Sequence, residues 1–554
     1  VVLLLTHSFR RRTPVLFYKQ EGVPMVKKNQ IRGVTTAPNA KGYSEAGASL
    51  TKRSMKGFTA SSGSPNEDIN WNNMTLRQRS RVLYMSSPVA AAAINTTRTK
   101  VVGVGLSLQS TIDRSLLGLT EESARAWQRK TEAEFALWAS KKRACDAIGM
   151  NDFQGMQQLA LKSWLMNGDV FAVVKHKEGI PESPYSLRIH LVEADRIRTP
   201  TINGTLPGLS EGVNKDNGNA IYDGVEVDSS GMVVAYYIHN NYPHELTKKQ
   251  EKPARVLAYG NNTGLPNILH VTDSERADQY RGVPYLAPVI ETLLQLRRYT
   301  ESELMAALVQ SFFSAWIVTK TDPANMPFNE VGDGLADVPG ENPSGGVSEN
   351  DHEYEMGPGQ INVLAEGEDV QFGNPNIPTS GFDVFVKTIC REIGAALELP
   401  YDVLIKEFNS SYSASRGALL EAWEAFKMRR EWFVNSFCQP IYEIWLAEAI
   451  SRGRINAPGF FTDPLIRAAY ARAEWIGPTQ GQLDPLKEAK AAILLTSKGI
   501  KTHAQVTREI GGGDWEANAE QVVHEMQVLN SAGAAPQDIE IDADDPEEGS
   551  KGDE

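Results

Sequence analysis

Four serines crowd one short stretch, at Ser410, Ser411, Ser413 and Ser415. A nucleophilic serine needs a general base within hydrogen-bond reach, and often a GxSxG elbow to present it. No histidine lies near these serines in sequence, and none of the four sits in a GxSxG. A hydrolase would have to bring a distant histidine to them. His190, His239, His244 and His270 fall in one block, 169–273. A metal site would need them to converge from separate strands together with an acid. HExxH and short paired spacings are missing, so solvated or hydrogen-bonded histidines are expected, and no metal. Gly103-x-Gly105 lacks the third glycine and the following helix of a dinucleotide loop, and there is no GxxxxGK[ST] phosphate loop. Cys145, Cys390 and Cys438 are far apart with no CxxC, which suggests a reducing compartment and no disulfide framework. Cys390 and Cys438 lie in helical patterns and read as buried thiols. The residues therefore predict neither an enzyme nor a cofactor.

The serine stretch is held between two strongly patterned helices. Upstream, Phe382, Phe385, Val386, Ile389, Ile393 and Leu397 follow the three-and-four spacing of one helical face. Pro400 stops that helix. Downstream, Leu419, Trp423, Phe426, Phe433, Phe437, Ile441 and Ile444 form a second stripe. Its outer side reads as charged, with Glu421, Glu424, Lys427, Arg429, Arg430 and Glu431. Pro440 is expected to kink this helix, because it lacks an N–H and crowds the carbonyl one turn back.

The 554 residues can bury a large core, and 41% apolar with 23% charged residues is ordinary for a globular chain. No run approaches the length of a membrane span. The net charge of −13 is uneven. Asp538–Glu554 holds nine acids and one lysine, whereas Val1–Thr59 holds eleven Lys or Arg against Glu21 and Glu45. Both ends read as solvated, disordered arms. Met25 opens MVKKNQ as a plausible true start, so residues 1–24 are expected to be an over-extended reading frame.

Helical patterns begin at Met74 and continue through Leu116–Met166, with Thr120-Glu121-Glu122 as a start signal. Val101–Leu108 reads as a strand between them. The block 169–273 alternates like antiparallel strands, with short strands also expected at Asp195–Pro200 and Ile268–Val271. Pro288 opens a long helix with Ile290, Leu293, Arg297, Leu304, Leu308 and Phe312 on one side, expected to end near Trp316–Val318. Lys320–Gly359 reads as loop. Gln360–Ala365 and Val370–Phe372 look like strands, and Pro485–Ala532 reads as three more helices.

Taken in order, RGVPYLAPVI (Arg281–Ile290), PTSGFDVFVKTICREIGAALELPYDVL (Pro378–Leu404), YSASRGALLEAWEAFKMRR (Tyr412–Arg430) and DPLKEAKAA (Asp484–Ala492) resemble the lambda-type portal proteins of tailed bacteriophages. The Trp475–Pro478 element and the Gly511–Trp515 turn also match, so the likeness runs over roughly Leu76–Ala532. It implies an α+β, mainly helical, ring-forming fold of twelve subunits at one capsid vertex. By the resemblance, 1–73 is a basic N-terminal arm and 74–280 a wing with a β-rich unit. Residues 281–319 form a stem helix, 320–377 a clip and 378–401 a second stem helix. Residues 402–415 form a tunnel loop, 416–484 a long kinked helix and wing return, 485–532 a crown and 533–554 an acidic tail.

The implied partners are other copies of the chain, the terminase large subunit, a head-completion or connector protein, the major capsid and scaffold proteins, and double-stranded DNA sliding through. No membrane is implied. The implied location is the virion vertex, with host cytoplasm during assembly. A channel that DNA slides through should gain little binding energy at any register, unlike a basic gripping site. Lys406, Asn409, Ser410, Ser411, Tyr412 and Ser413 fit such a lining; without the resemblance they read as a surface loop. Two other classes stay open. A serine hydrolase would label with a fluorophosphonate, and a non-portal capsid or scaffold-binding protein would differ in particle shape.

Overall fold

The computed structural model describes residues 47–49, 52–178, 181, 183–200, 211–245, 251–311, 315–319, 368–372, 381–407, 412–481, 485–511 and 513–531. The chain divides into two units, 1–62 and 63–554. The first includes the 3-10 turn Arg53–Met55.

The second opens with helices α1 (Trp71–Ser86) and α2 (Pro88–Val101). Ser87 separates them and caps α2, its hydroxyl accepting from the Ala90 N–H, while Pro88 sits where its missing N–H costs nothing. The chain then turns through Gly103 and Gly105, both at positive φ, before β1 (Ser107–Ser110). The expected strand Val101–Leu108 is thus mostly turn. A Cβ on Gly105 would lie 2.4 Å from Gln154 Cγ, so the close approach of that helix sets the bend. Helices α3 (Arg114–Leu117), α4 (Glu121–Ala139), α5 (Lys142–Cys145) and α6 (Phe153–Asn167) follow. Thr120 caps α4, as its sequence signal predicts.

The β-rich block is antiparallel throughout. β2 (Asp169–His176) lies between β3 (Leu187–Glu193) and β9 (Ile268–Thr272). Strands β4 (Glu211–Val213), β5 (Ala220–Tyr222), β6 (Val225–Val227), β7 (Val233–Ile238) and β8 (Ala254–Leu257) form a five-stranded meander. Strand β2 is buried on both faces, which explains its unbroken VFAVV run. Val170 and Ala172 join the main core, while Phe171 and Val173 join a smaller one with Val225, Val227 and Tyr236. The expected strand Asp195–Pro200 is instead a 3-10 turn, Ala194–Arg196, with Ile197 making one bridge to Ile238.

Helix α7 (Ile290–Ser311) ends before Trp316. Ala315–Thr319 is strand β10, pairing with β11 (Glu368–Phe372), as the β-branched and aromatic AWIVT favours. The α7 stripe is also only half right. Ile290, Leu293 and Leu296 are buried, but Leu304 and Leu308 are exposed. Lys320–Gly359 and Gln360–Ala365 lie outside the described residues.

Helices α8 (Phe382–Ala396), α9 (Tyr401–Ile405), α10 (Tyr412–Phe433), α11 (Gln439–Ser451) and α12 (Pro464–Ala471) lead to β12 (Ala473–Ile476), which pairs with the distant β1. The main core centres on Phe135, with Phe153, Tyr442 and Trp445 edge-on around it at 5.1–5.7 Å. All three cysteines are buried, and burial pushes the Cys145 thiol up to about 12. Three helices close the described chain as expected: α13 (Pro485–Ser497), α14 (His503–Ile510) and α15 (Trp515–Ser531).

Candidate DNA-channel segment

The polar segment begins where α8 must turn back. Glu398 takes a left-handed conformation (φ 54°), and the Leu399 N–H donates to the Gly394 carbonyl at 2.8 Å. A Cβ on Gly394 would lie 2.4 Å from the Leu399 carbonyl oxygen, so a glycine is needed there. Pro400 then opens the short α9, which buries Val403 and Leu404. Lys406 leaves α9 at φ 64° with its side chain exposed, a conformation that costs a non-glycine residue about 1–2 kcal/mol. Glu407 is tethered by the Tyr401 hydroxyl at 2.8 Å, and Arg391 stacks over the Tyr401 ring.

Asn409, Ser410 and Ser411 lie outside the described residues. Tyr412 and Ser413 do not belong to a loop; they form the first turn of α10, their side chains outside the described set. The expected loop Asp402–Ser415 is therefore shorter, because Tyr401–Ile405 and Tyr412–Ser415 are helical. Serine and tyrosine are tolerated in a helix, and polarity alone did not reveal it. Ser415 reaches back to Asp402 at 3.5 Å, tying the two ends of the segment together.

Below the segment, α10 is fixed by its stripe and by two arginines. Trp423 is 4% exposed, edge-on to Phe426. Arg429 and Arg430 do not lie on a solvated face. Arg429 pairs with Glu398 at 2.5 Å and covers the Tyr285 ring. Arg430 donates to the carbonyls of Lys100, Val101 and Pro478 at 2.8–2.9 Å. Burial lowers Arg430 to about 10, so it remains charged at neutral pH. A signal for this was present: Arg430 falls on the stripe itself, four residues after Phe426 and three before Phe433. Beyond Phe433 the helix passes through a π turn, Val434–Cys438, and continues into α11 with Pro440 in its first turn. The π turn is how this long helix accommodates the proline whose kink the sequence predicts.

A buried ionic knot lies ahead of α7 in the chain, and sequence reading missed it because its members are scattered. Arg281 is fully buried. Its Nε and Nη2 donate to Asp169 at 2.6 and 3.2 Å, and its Nη1 and Nη2 reach the carbonyls of Ile197 and Ala194. Arg281 also pairs with Asp223 at 2.8 Å. Arg77 of α1 lies 3.6 Å from Asp169 and 3.4 Å from Asp223, and Arg81 binds Asp195 at 2.6 Å. Burial opposes ionisation of Asp169, but Arg281 and Arg77 outweigh it and hold the carboxyl well below its usual range. Burial likewise lowers His270, against the pull of Asp169 at 3.3 Å. Next to the knot, Gly282 crosses Gly168 so closely that a Cβ would lie 1.9 Å from the Gly168 carbonyl oxygen.

His270 is thus held by Asp169, and His239 meets the Arg198 carbonyl at 3.1 Å. Among the described residues, no group of three His, Cys, Asp or Glu side chains is placed to hold a metal ion. Likewise no described helix is long and apolar enough to cross a membrane.

The profile of one family, described as phage portal protein, lambda family, matches residues 51–430, which take in the knot, the polar segment and Arg430. The chain belongs to that family. Portal protein B of Escherichia phage lambda is 25% identical over 464 residues, 82% of this chain and 84% of that protein. The portal protein of Escherichia phage N15 is 24% identical over 515 residues, covering 91% and 93%. Among solved structures, a chain from the neck of a native GTA particle computed with C12 symmetry aligns with a TM-score of 0.40 and 13% identity, covering 79% of this chain and 92% of that one. The portal family is a structural one, and the α+β architecture and the family agree with the sequence reading.

Proposed function

We propose that this protein is the subunit of a portal ring, twelve copies at one capsid vertex, through which double-stranded DNA enters under a terminase motor and leaves after head–tail joining. The observation that carries this is family membership across residues 51–430. Helices α7 and α8 serve as stem helices, and Tyr299 of α7 packs on Phe382 and Phe385 of α8 at 5.6 and 4.8 Å. Residues 320–377 between them are the clip that meets the terminase large subunit and later a connector protein. The β-rich block is the outward wing, and α13–α15 form the crown. Major capsid and scaffold proteins surround the ring in the virion, and assembly takes place in the host cytoplasm. The chain itself carries out no catalysis.

Lys406, Asn409, Ser410, Ser411, Tyr412 and Ser413 face DNA in the tunnel without gripping it. Amides and hydroxyls neutralise no phosphates, so passage stays even from register to register. The test is a defined packaging assay on rings checked by microscopy. Glycine at Asn409, Ser410 and Ser411 leaves rings intact but reduces packaged or retained DNA length, and arginine at the same positions slows passage. Normal packaging and retention by both variants would remove the segment from the channel.

A further inference from the structure

Helices α13, α14 and α15 bury none of their residues and contribute nothing to either apolar core. Solvated Arg–Glu pairs link them to the rest of the chain. These are Arg125–Glu516 and Arg416–Glu488, both at 3.6 Å, together with Arg129–Glu520 and Arg508–Glu474. A cavity of about 250 Å³ separates Leu419 and Leu420 of α10 from Ala492, Leu495 and Ile510.

Yet α15 carries a coiled-coil seam. Trp515, Ala519, Val522, Met526 and Leu529 repeat at alternating spacings of four and three. Trp515 stacks on His503 of α14, so the start of the seam has a partner within the chain. Helix α14 has 8 residues and α15 has 17, so the seam outruns that partner. Val522, Met526 and Leu529 are left 45%, 49% and 39% exposed. The face of α13 turned away from that cavity is apolar too, with Leu486, Ile493 and Leu494 exposed.

The charges around the two faces are opposite. Helix α15 holds Glu516, Glu520 and Glu525 with no Lys or Arg, the first two already meeting Arg125 and Arg129 and Glu525 lying beyond those pairs, while α13 and its following turn hold Lys487, Lys490 and Lys498 against Glu488. Two α15 seams facing each other would bring glutamates together, and such a contact would close as a dimer.

We propose that the exposed seam of α15 in one copy packs against the outward face of α13 in the next. This contact is head to tail, so it repeats around a closed ring. It rests on the ring reading above and adds to it a named pair of surfaces, apolar at the centre and acid-to-base at the edges.

The test uses the full chain with two cysteine pairs, Ile493→Cys with Met526→Cys and Leu494→Cys with Val522→Cys. The native cysteines are all buried and do not compete. Rings are first imaged, then mildly oxidised and run without reductant. At least one pair gives a ladder of covalent multimers, and the single variants stay monomeric. Intact rings with no ladder from either pair would overturn the contact while leaving the ring reading in place. Dimers from Met526→Cys alone, as abundant as from the pair, would show seam-to-seam packing and also overturn it. Absence of rings before oxidation would overturn the ring reading itself.

Discussion

Replacing Arg281 with methionine keeps most of the side chain's volume and removes its charge. Two contacts to Asp169 and the pairing with Asp223 are lost, and the Ile197 and Ala194 carbonyls lose a donor. Arg77 and Arg81 remain against Asp169, Asp195 and Asp223, so one buried negative charge has no counterpart. Removing one partner of a buried ion pair costs about 3–5 kcal/mol, and the bare carbonyls push toward the upper end. The sign of the pH dependence follows from Asp169. Its folded-state pKa is depressed, so its contribution is present above the unfolded value and is lost as pH falls through the folded one. In the variant much of that depression is gone. The gap between wild type and Arg281→Met is therefore widest near neutral pH and narrows below about pH 4, where an unperturbed carboxyl takes up its proton. Urea denaturation followed by tryptophan fluorescence, repeated from pH 3 to 7, measures it. A shift below about 1 kcal/mol that does not change with pH would refute the knot as an electrostatic hub.

Trp423→Ala should destabilise the chain by about 3–5 kcal/mol and impair ring assembly, because it empties a buried aromatic site on α10; an unchanged melting temperature would place Trp423 outside the core. Arg430→Met leaves three carbonyls without their donor, each worth about 1–3 kcal/mol if it stays dry, so it should lower the urea midpoint clearly more than Lys427→Met on the exposed face. Burial, with help from Asp514 and Glu516, raises Glu132 to about 7 even though its carboxylate accepts the Ser110 N–H. A raised acid favours the folded state at low pH and loses that advantage as pH climbs from its unfolded value through 7, so melting temperature should fall over that range in wild type and stay flatter in Glu132→Gln.

Much of the helical framework was legible because amphipathic spacing is a local property. The α10–α11 stripe is buried from Trp423 to Ile444, and the three closing helices follow their caps and glycines. The errors share a cause. Periodicity carries the end of α7 on to Trp316–Val318, but the β-branched residues of Ala315–Thr319 find a strand partner more than forty residues away at Glu368–Phe372. Leu304, Leu308 and Phe385 fall on apolar helical stripes but are exposed in the single chain, and a repeat of spacing does not say whether its partner lies in the same subunit. Arg281, Asp169, Asp223 and Arg77 carry no local sign of their pairing, since burial of an ion pair depends on contacts between residues far apart in sequence. Arg429 and Arg430 depart from the charged outer face for a related reason: Arg430 meets backbone carbonyls, and Arg429 meets an aromatic ring and Glu398, thirty-one residues away, none of which leaves a local charge pattern. For the polar segment, the sequence located its flanking helices but overstated its length at both ends.

The central claim is a closed ring around a channel, and direct imaging of the purified full-length protein tests it most plainly. Negative-stain or cryo-electron microscopy should show end-on views with a central hole and rotational symmetry, twelvefold or a neighbouring number, with native mass spectrometry giving the same count. Only monomers or twofold dimers, across a range of protein and salt concentrations, would contradict it.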